Sequence, residues 1–231
     1  MSRRITCGKI MAVMEISYLG HACFKIKTKS GVVVMDPYGP KTGLKLPSVS
    51  ADIVTVSHGH DDHNHIEGVV GTTRRKEPFV VGEPGEYEVE GISIFGYQTS
   101  HDEKNGEERG ENVIFVVQTE DLRVLHLGDL GHELSEKLVD ELNGIDVLMV
   151  PVGGVYTIDP EAAMKVIEAI EPTFVLPMHY QTPAHNKETF KEMTELSKFT
   201  NLYGHNTRTV KSLNVTKLSL PQDVTEVIVF E

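Results

Sequence analysis

The fold of this chain is most readily inferred from the stretch Ser57-His58-Gly59-His60-Asp61-Asp62-His63-Asn64-His65. The stretch directly follows the apolar run at 53–56, which places its side chains at the end of a buried strand. Burying so many imidazoles and carboxylates without partners would cost at least several kcal/mol. A solvated polar loop is the structural alternative, but it does not explain why metal-ligating side chains are concentrated here. The stretch therefore predicts a metal site at a strand end.

Further metal ligands are expected at the ends of other strands. A catalytic metal needs about three protein ligands besides a solvent position, so the stretch alone cannot complete a pair of metal sites. The candidates are His101, Asp129 and His179, and each follows a β-rich run by one or two residues. Each would be unremarkable alone, since a single strand-end histidine is more often a hydrogen-bonded structural group. Together with the stretch at 57–65, they form a series of metal-ligating side chains at strand ends.

Apolar periodicity predicts an α/β fold. Short β-rich runs, bounded by Gly, Pro and Asp, are expected at 14–19, 23–28, 32–35, 53–56, 79–81, 92–97, 113–118, 124–127, 146–151, 173–177, 215–220 and 224–230. Helices are expected through Leu134, Leu138 and Leu142, over 159–170 and over 187–198. The chain has two strand-rich halves, and in each half the helices follow the strands in sequence. This order predicts a four-layered sandwich, with two mixed β-sheets face to face and helices outside.

The chain length indicates the number of domains, and the cysteine content indicates the cellular compartment. The 231 residues suit one domain, predicted over 13–231, and residues 1–12 are interpreted as an extension, with Met14 as an alternative start. Two cysteines do not form a disulfide framework, which favours the reducing cytoplasm. The N-terminal residues lack the long apolar run of a signal peptide, and no window reaches the roughly 18 apolar residues of a membrane span.

Charge limits the partners. The formal net charge is −12, which disfavours long nucleic acids, and the short basic runs at 3–4 and 74–76 do not form a groove for a phosphate backbone. We therefore expect a small-molecule substrate and neither a long nucleic acid nor a membrane as partner. A homo-oligomer is compatible with the sequence.

The ordered motifs resemble those of the metallo-β-lactamase superfamily from Met14 onward. Its H-x-H-x-D-H signature matches residues 58–63, and its later single-residue motifs match His101, Asp129 and His179 in order. The resemblance implies an αββα sandwich with metals at the sheet edges. The motifs Tyr18-Leu19-Gly20-His21, Asp36-Pro37 and Pro151-Val152-Gly153-Gly154 are similar to those of small hydrolases related to ascorbate-6-phosphate lactonase.

The resemblance also implies a role for each ligand. It assigns the first metal to His58, His60 and His101, assigns the second to Asp62, His63 and His179, and makes Asp129 a bridge between them. The metals lower the pKa of a water molecule, and the resulting bridging hydroxide attacks the substrate. Asp62 is also the expected catalytic residue, because it can orient this nucleophile and accept its proton. Zinc is the default metal, and manganese, iron or nickel would suit the same ligands.

Other polar residues near the motifs are candidates for contacts to substrate or to a ligand. His21 could approach the substrate or support a ligand by a hydrogen bond, and Asp36 could hydrogen-bond a ligand histidine or belong to an ordinary Asp-Pro turn. His65 and His132 lie beside ligand-bearing loops and could orient a ligand or face solvent. His126 is expected in the core, because it alternates away from Asp129 along its strand.

The leading functional hypothesis is metal-dependent hydrolysis of a small ester, lactone or phosphate-bearing metabolite. The same metal pair could cleave a phosphodiester in a nucleotide or nucleic acid. A non-catalytic metal-binding or regulatory module is the third alternative, and the complete set of ligands argues against it. Leu130 stands where this superfamily often has threonine or serine, which removes one hydroxyl beside Asp129.

Overall fold

The computed structural model describes residues 12–204, 206–222 and 224–231. The predicted extension at 1–12 therefore lies outside the described residues, except for residue 12. The strands are β1 Met14–Gly20, β2 Cys23–Lys27, β3 Val32–Met35, β4 Val49–Ala51, β5 Ile53–Thr55, β6 Val69–Gly71, β7 Phe79–Val81, β8 Gly85–Val89, β9 Ile92–Ser100, β10 Glu111–Thr119, β11 Leu122–His126, β12 Val147–Pro151, β13 Phe174–Met178, β14 Thr207–Val210, β15 Leu213–Val215 and β16 Glu226–Phe230. The α-helices are α1 Glu136–Glu141, α2 Pro160–Ile170, α3 Lys187–Phe190 and α4 Leu196–Tyr203.

Most strands form two mixed sheets. The smaller sheet has the order β15-β1-β2-β3-β5-β7, and its strands are antiparallel from β15 to β3 and parallel from β3 to β7. The larger sheet has the order β14-β16-β13-β12-β11-β10-β9-β8, and it is parallel from β14 to β11 and antiparallel from β11 to β8. Parallel neighbours end at the same sheet edge, so loops that follow β5, β11 and β13 are placed to build a site.

The main core fills the space between the sheets. Ile26 and Ile53 of the smaller sheet belong to the same buried cluster as Phe115 and Leu176 of the larger one. Burying such a side chain contributes about 1.5–3 kcal/mol, so the two faces hold the sandwich together.

Outer layers cover both sheets. On the larger sheet, α2 and α4 pack through Val166 and Phe199 against Leu148 of β12. The smaller sheet has a third cluster around Tyr38 and Val69, with 3₁₀ helices at Pro40–Thr42 and Ile66–Gly68 and the small sheet of β4 and β6. The predicted α/β sandwich of two mixed sheets is confirmed. Across the described residues, no helix is long and apolar enough to cross a membrane.

The helix predicted over 159–170 forms as expected. Asp159 accepts a hydrogen bond from the backbone N–H of Ala162, and Pro160 occupies the first helical turn, where its missing N–H costs nothing.

Two local predictions were wrong. The helix expected over 187–198 is interrupted, because Met193 is buried and the Thr194 N–H donates to the carbonyl of Gly153, 2.8 Å away, rather than continuing a helix. The strand expected over 215–220 ends at Val215, where Thr216 and Ser219 form a reciprocal capping box around a 3₁₀ turn. In both places a contact absent from the apolar pattern determines the backbone.

Candidate metal centre

The predicted ligands converge at one edge of the sandwich. The stretch at 57–65 follows β5, His101 follows β9, Asp129 follows β11 by three residues, and His179 follows β13. Both sheets therefore contribute side chains to one cluster. His63, His101, Asp129 and His179 are buried.

The cluster contains two groups of metal-ligating atoms that share no residue, and a third set, His58, His63 and Asp129, that spans them. One nitrogen from each of His58, His60 and His101 lies within 4.8 Å of the others, and we call these residues the triple-histidine group. Ligand atoms of Asp62, His63 and His179 also lie within 4.8 Å of one another, and we call these residues the mixed group. Each group has the donor types that divalent transition metals prefer.

The Asp129 carboxylate lies between the two groups. Its Oδ2 is 3.2 Å from Nε2 of His101 and 3.3 Å from Nε2 of His179, and its Oδ1 is 3.2 Å from Nε2 of His63. One carboxylate thus contacts imidazoles of both groups.

Several buried polar atoms of the cluster have no hydrogen-bond partner among the described residues. They are Nε2 of His58, Nε2 of His63, Nδ1 of His101, Oδ1 of Asp129 and both ring nitrogens of His179. Buried polar atoms are almost always satisfied, and leaving one unpaired costs about 1–3 kcal/mol. Cations bound among these residues would pair the Nε2 atoms of His58, His63 and His179 and the Asp129 oxygen, so the residues fit a metal site.

The pKa shifts of the clustered residues also support a metal site. Burial opposes a charge on His63, but the Asp129 and Asp36 carboxylates outweigh it and raise the pKa of His63 well above its ordinary value. Burial lowers the pKa of His58 to about 3, and the neighbouring His63 adds to the effect. Burial disfavours charge on Asp129, but His179 and His63 hold its pKa well below the usual range. Positive charge balances the carboxylates here, and a divalent cation would replace the protons.

Asp36 fixes the orientation of His63. Its Oδ2 accepts a hydrogen bond from Nδ1 of His63 at 2.9 Å, which leaves Nε2 directed into the cluster. It also accepts hydrogen bonds from the N–H and the hydroxyl of Ser57, at 2.8 and 2.5 Å, and that hydroxyl is 2.9 Å from Nδ1 of His58. Asp36 therefore supports one histidine of each group.

The backbone around the cluster is tightly constrained. His21, Asp36 and His179 adopt left-handed conformations with φ of 56°, 45° and 51°, which are uncommon outside glycine and concentrate at functional sites. The carbonyl of His21 accepts the N–H of His179 at 2.7 Å, which joins the two sheets at the site. A Cβ at Gly153 would overlap the carbonyl oxygen of His179, so only glycine fits there.

A directed chain of hydrogen bonds ends on Asp62. Burial lowers the pKa of His21 to about 3 and that of His185 to about 4, so each ring is neutral near pH 7 and carries one proton. The Thr182 N–H donates to Nδ1 of His185 at 3.0 Å, so the proton of His185 is on Nε2. That N–H donates to Nδ1 of His21 at 3.2 Å, and Nε2 of His21 therefore donates to Oδ2 of Asp62 at 3.2 Å. In this tautomer Nε2 of His21 donates to Asp62, and a ring nitrogen of His21 also lies within 4.8 Å of the ligand atoms of the mixed group.

The remaining candidates lie around the cluster. Nε2 of His132 accepts the N–H of Ser100 at 3.1 Å, so His132 holds the backbone just before His101. His65 lies apart from the ligand groups, with Nδ1 2.9 Å from Glu67. His126 is a buried core residue as expected, and its Nε2 donates to the carbonyl of Ala22 at 2.8 Å.

Sequence reasoning missed Ser57, Asn112 and Arg109 as site residues. Ser57 bonds Asp36 as described, and Oδ1 of Asn112 accepts the N–H of Asp129 at 2.9 Å. The position of Ser57 directly before His58 was the available signal. No sequence signal marked Asn112 or Arg109, because the residues that they contact in the folded chain are remote in sequence.

A pocket of about 350 Å³ opens onto the cluster. The ligand side contributes His60, Asp62, His101 and Asp129. The rest of the lining, which we call the outer wall, consists of Glu108, Arg109, Tyr156, Thr189 and Phe190. The volume suits a small molecule.

Two groups of histidine and aspartate side chains at the edge of a two-sheet sandwich are typical of metal-dependent enzymes, and comparison with known proteins identifies the family. A family profile described as a beta-lactamase superfamily domain matches residues 15–179. The chain belongs to the metallo-β-lactamase superfamily and is a metal-dependent hydrolase of that family.

Individual proteins that are similar in sequence or structure support the same family assignment. A UPF0173 metal-dependent hydrolase from Methanopyrus kandleri is 32% identical over 197 residues, which cover 73% of this chain and 85% of the relative. A Bacillus mycoides UPF0173 hydrolase is 28% identical over 81% of this chain and 95% of its own. The crystal structure of a Thermotoga maritima member of the superfamily, assigned as a Zn-dependent hydrolase, is 35% identical with a TM-score of 0.75, covering 94% of this chain and 98% of that chain.

Proposed function

We propose that this chain hydrolyses a small ester or lactone with two divalent cations, one held by the triple-histidine group and one by the mixed group. The observation that carries the proposal is the position of Asp129. Its two oxygens approach His63 and His101, at 3.2 Å each, so one carboxylate can serve both cations. A structural carboxylate would not need unpaired imidazole nitrogens from two groups around it.

The ligand types support the chemistry that the cations would supply. Divalent cations bound among neutral imidazoles and carboxylates act as Lewis acids and lower the pKa of water toward neutrality. Zinc is the proposed metal and manganese the first substitute, because imidazole and carboxylate ligands suit both. The donors of this chain do not select between them.

Asp62 is the proposed proton acceptor. Its side chain is 22% exposed, whereas that of Asp129 is 2% exposed, so Asp62 reaches the pocket while Asp129 stays within the cluster. His21 donates to Oδ2, which fixes the carboxylate and leaves Oδ1 to orient a water molecule and take its proton.

The pocket supports a small substrate. Its volume of about 350 Å³ lies at the lower end of the range for small-molecule sites. Phe190 and Tyr156 add aromatic surface to the pocket lining, which suits the organic part of an ester or lactone. A long nucleic acid would need an extended basic groove instead.

A substrate panel tests the proposal. Protein reconstituted with zinc or manganese is assayed against lactones, simple esters, thioesters, β-lactams and phosphodiesters. We expect the highest kcat/KM with a lactone or ester, loss of activity with a chelator, and recovery when metal is returned. Activity confined to phosphodiesters would establish the alternative chemistry. Fully metal-loaded protein that hydrolyses nothing would instead indicate a binding or regulatory module.

A further inference from the structure

Arg109 distinguishes the outer wall from the rest of the site. Among the residues lining the pocket, it is the only lysine or arginine. Its guanidinium carbon lies 5.7 Å from the centre of the Tyr156 ring, so the cation rests on an aromatic face. The other ionised groups of the pocket lining, Asp62, Glu108 and Asp129, are carboxylates.

The Arg109 guanidinium has no carboxylate partner among the described residues. Its neighbour Glu108 is paired with Lys104 at 2.5 Å, four residues earlier. By contrast, Arg208 is paired with Glu226 at 2.9 Å, and Arg74 and Arg123 donate to backbone carbonyls and to the Gln118 amide, respectively. The hydrogen-bond donors of Arg109 are therefore available to a ligand, and a guanidinium can bind a carboxylate or phosphate through two parallel hydrogen bonds.

The loop that carries Arg109 is held in place before any ligand arrives. The buried Asp102 accepts four backbone N–H groups: those of Lys104 and Gly106 on Oδ1, and those of Glu108 and Arg109 on Oδ2, at 2.8–3.0 Å. Asp102 directly follows His101 of the triple-histidine group, so the loop is anchored to the cluster. Preorganisation of this kind lowers the entropic cost of binding.

The surface beneath Arg109 is also fixed. The Tyr156 hydroxyl donates to the carbonyl of Thr189 at 2.7 Å. Val155 before it has a φ of 61°, a left-handed conformation that is rare for a β-branched residue. Arg109 and Tyr156 thus form a cationic and aromatic corner of the pocket lining.

We infer that Arg109 binds an anionic group of the substrate, a carboxylate or a phosphate, so that the preferred esters and lactones are acidic ones. This inference rests on the proposed hydrolytic function. The overall charge of −12 repels anions, and a local guanidinium at the pocket offsets that field where the substrate enters. The scissile carbonyl then faces the ligand groups while the anionic group stays at the outer wall.

The test compares matched substrates and matched variants. One ester scaffold is prepared with a neutral, a carboxylate and a phosphate tail, and the selectivity is the kcat/KM of each acidic ester divided by that of the neutral ester. Arg109→Gln removes the guanidinium at the pocket. Arg123→Gln makes the same change at the start of β11, the end opposite Asp129, and controls for net charge.

We expect Arg109→Gln to lower the selectivity by about 10-fold or more, mainly through KM, as loss of a hydrogen bond to a charged group does. Arg123→Gln should stay within about twofold of wild type, since it acts only through the screened general field. The tail whose selectivity falls further identifies the anion. Equal selectivity in wild type and Arg109→Gln would overturn the inference while leaving the hydrolytic function in place.

If no ester is hydrolysed, a binding measurement tests whether Arg109 binds anions. Inorganic phosphate and acetate are each titrated calorimetrically into metal-loaded wild type, Arg109→Gln and Arg123→Gln. An increase in Kd of about 10-fold confined to Arg109→Gln would retain the anion site although the proposed function had failed. The same Kd in all three proteins would overturn the inference.

Discussion

The ligand cluster and the outer wall line the same pocket but are built differently. In the cluster, His63 and His179 have no exposed surface, and a buried carboxylate fixes the ring of His63. In the outer wall, Glu108 and Arg109 are exposed side chains on a loop, held through backbone hydrogen bonds. The difference follows a general pattern, in which a rigid scaffold positions buried site residues while exposed loops carry the more variable contacts.

The largest predicted effect concerns Asp62, the proposed proton acceptor, which lines the pocket. Asp62→Asn retains the size and one oxygen but loses the negative charge and the basicity. We expect kcat to fall on the order of 10²-fold or more, because this is the usual contribution of a general base. The variants should be assayed at matched metal content with the best substrate of the panel.

His65→Ala is the control for Asp62→Asn. His65 belongs to the same loop but lies apart from the ligand groups, so its removal should cost far less. Near wild-type turnover of Asp62→Asn with both metals bound would show that the carboxylate is not needed for proton transfer.

The second prediction concerns the buried support of the cluster. Asp36→Asn should weaken metal binding by about 10- to 100-fold, because loss of the carboxylate charge reduces the basicity of His63. Asparagine tolerates the left-handed backbone at this position, so the fold should persist.

Asp52→Asn is the matched control for Asp36→Asn. Asp52 is also buried, but it precedes β5 and accepts the N–H of Val32 at 2.8 Å, away from the ligands. Competition with a chromogenic chelator measures both affinities. Equal affinities for Asp36→Asn and wild type would contradict the supporting role of Asp36.

The contrast between the ligand cluster and the outer wall also explains which site residues could be predicted from the sequence. The ligands were recognisable because each follows an apolar run, and the sandwich brings such strand ends to one edge. Arg109 belongs to the polar segment at 102–110, which is indistinguishable from a solvated loop in the sequence. Its role depends on Tyr156, whose position next to it arises only in the folded chain.

The interrupted helix at 187–198 has the same explanation. Its apolar pattern continues through Met193, but hydrogen bonding of Thr194 to Gly153 breaks the helix in the folded protein. The break separates α3, which ends at Phe190 of the outer wall, from α4. Local periodicity could not indicate this contact, since its partner lies about 40 residues earlier.

The smallest predicted effect concerns His185, which acts on Asp62 only through His21. His185→Phe keeps a ring of similar volume beside Phe190 but removes the N–H that fixes the His21 tautomer. We expect kcat to fall about 5- to 10-fold with little change in KM, as loss of one hydrogen bond in a relay implies. The ¹⁵N chemical shifts of His21 should change from a single tautomer to a mixture. An unchanged tautomer would contradict the positioning role.

The count of bound metals tests the central claim most directly. Elemental analysis of wild-type protein, purified without chelator and equilibrated with excess zinc or manganese, should give close to two divalent metals per chain. In Asp129→Ala, which loses the carboxylate between the two groups, occupancy should fall while circular dichroism shows the fold retained, because the sheets are stabilised by apolar burial. A wild-type preparation that never exceeds one metal per chain would contradict the two-metal account.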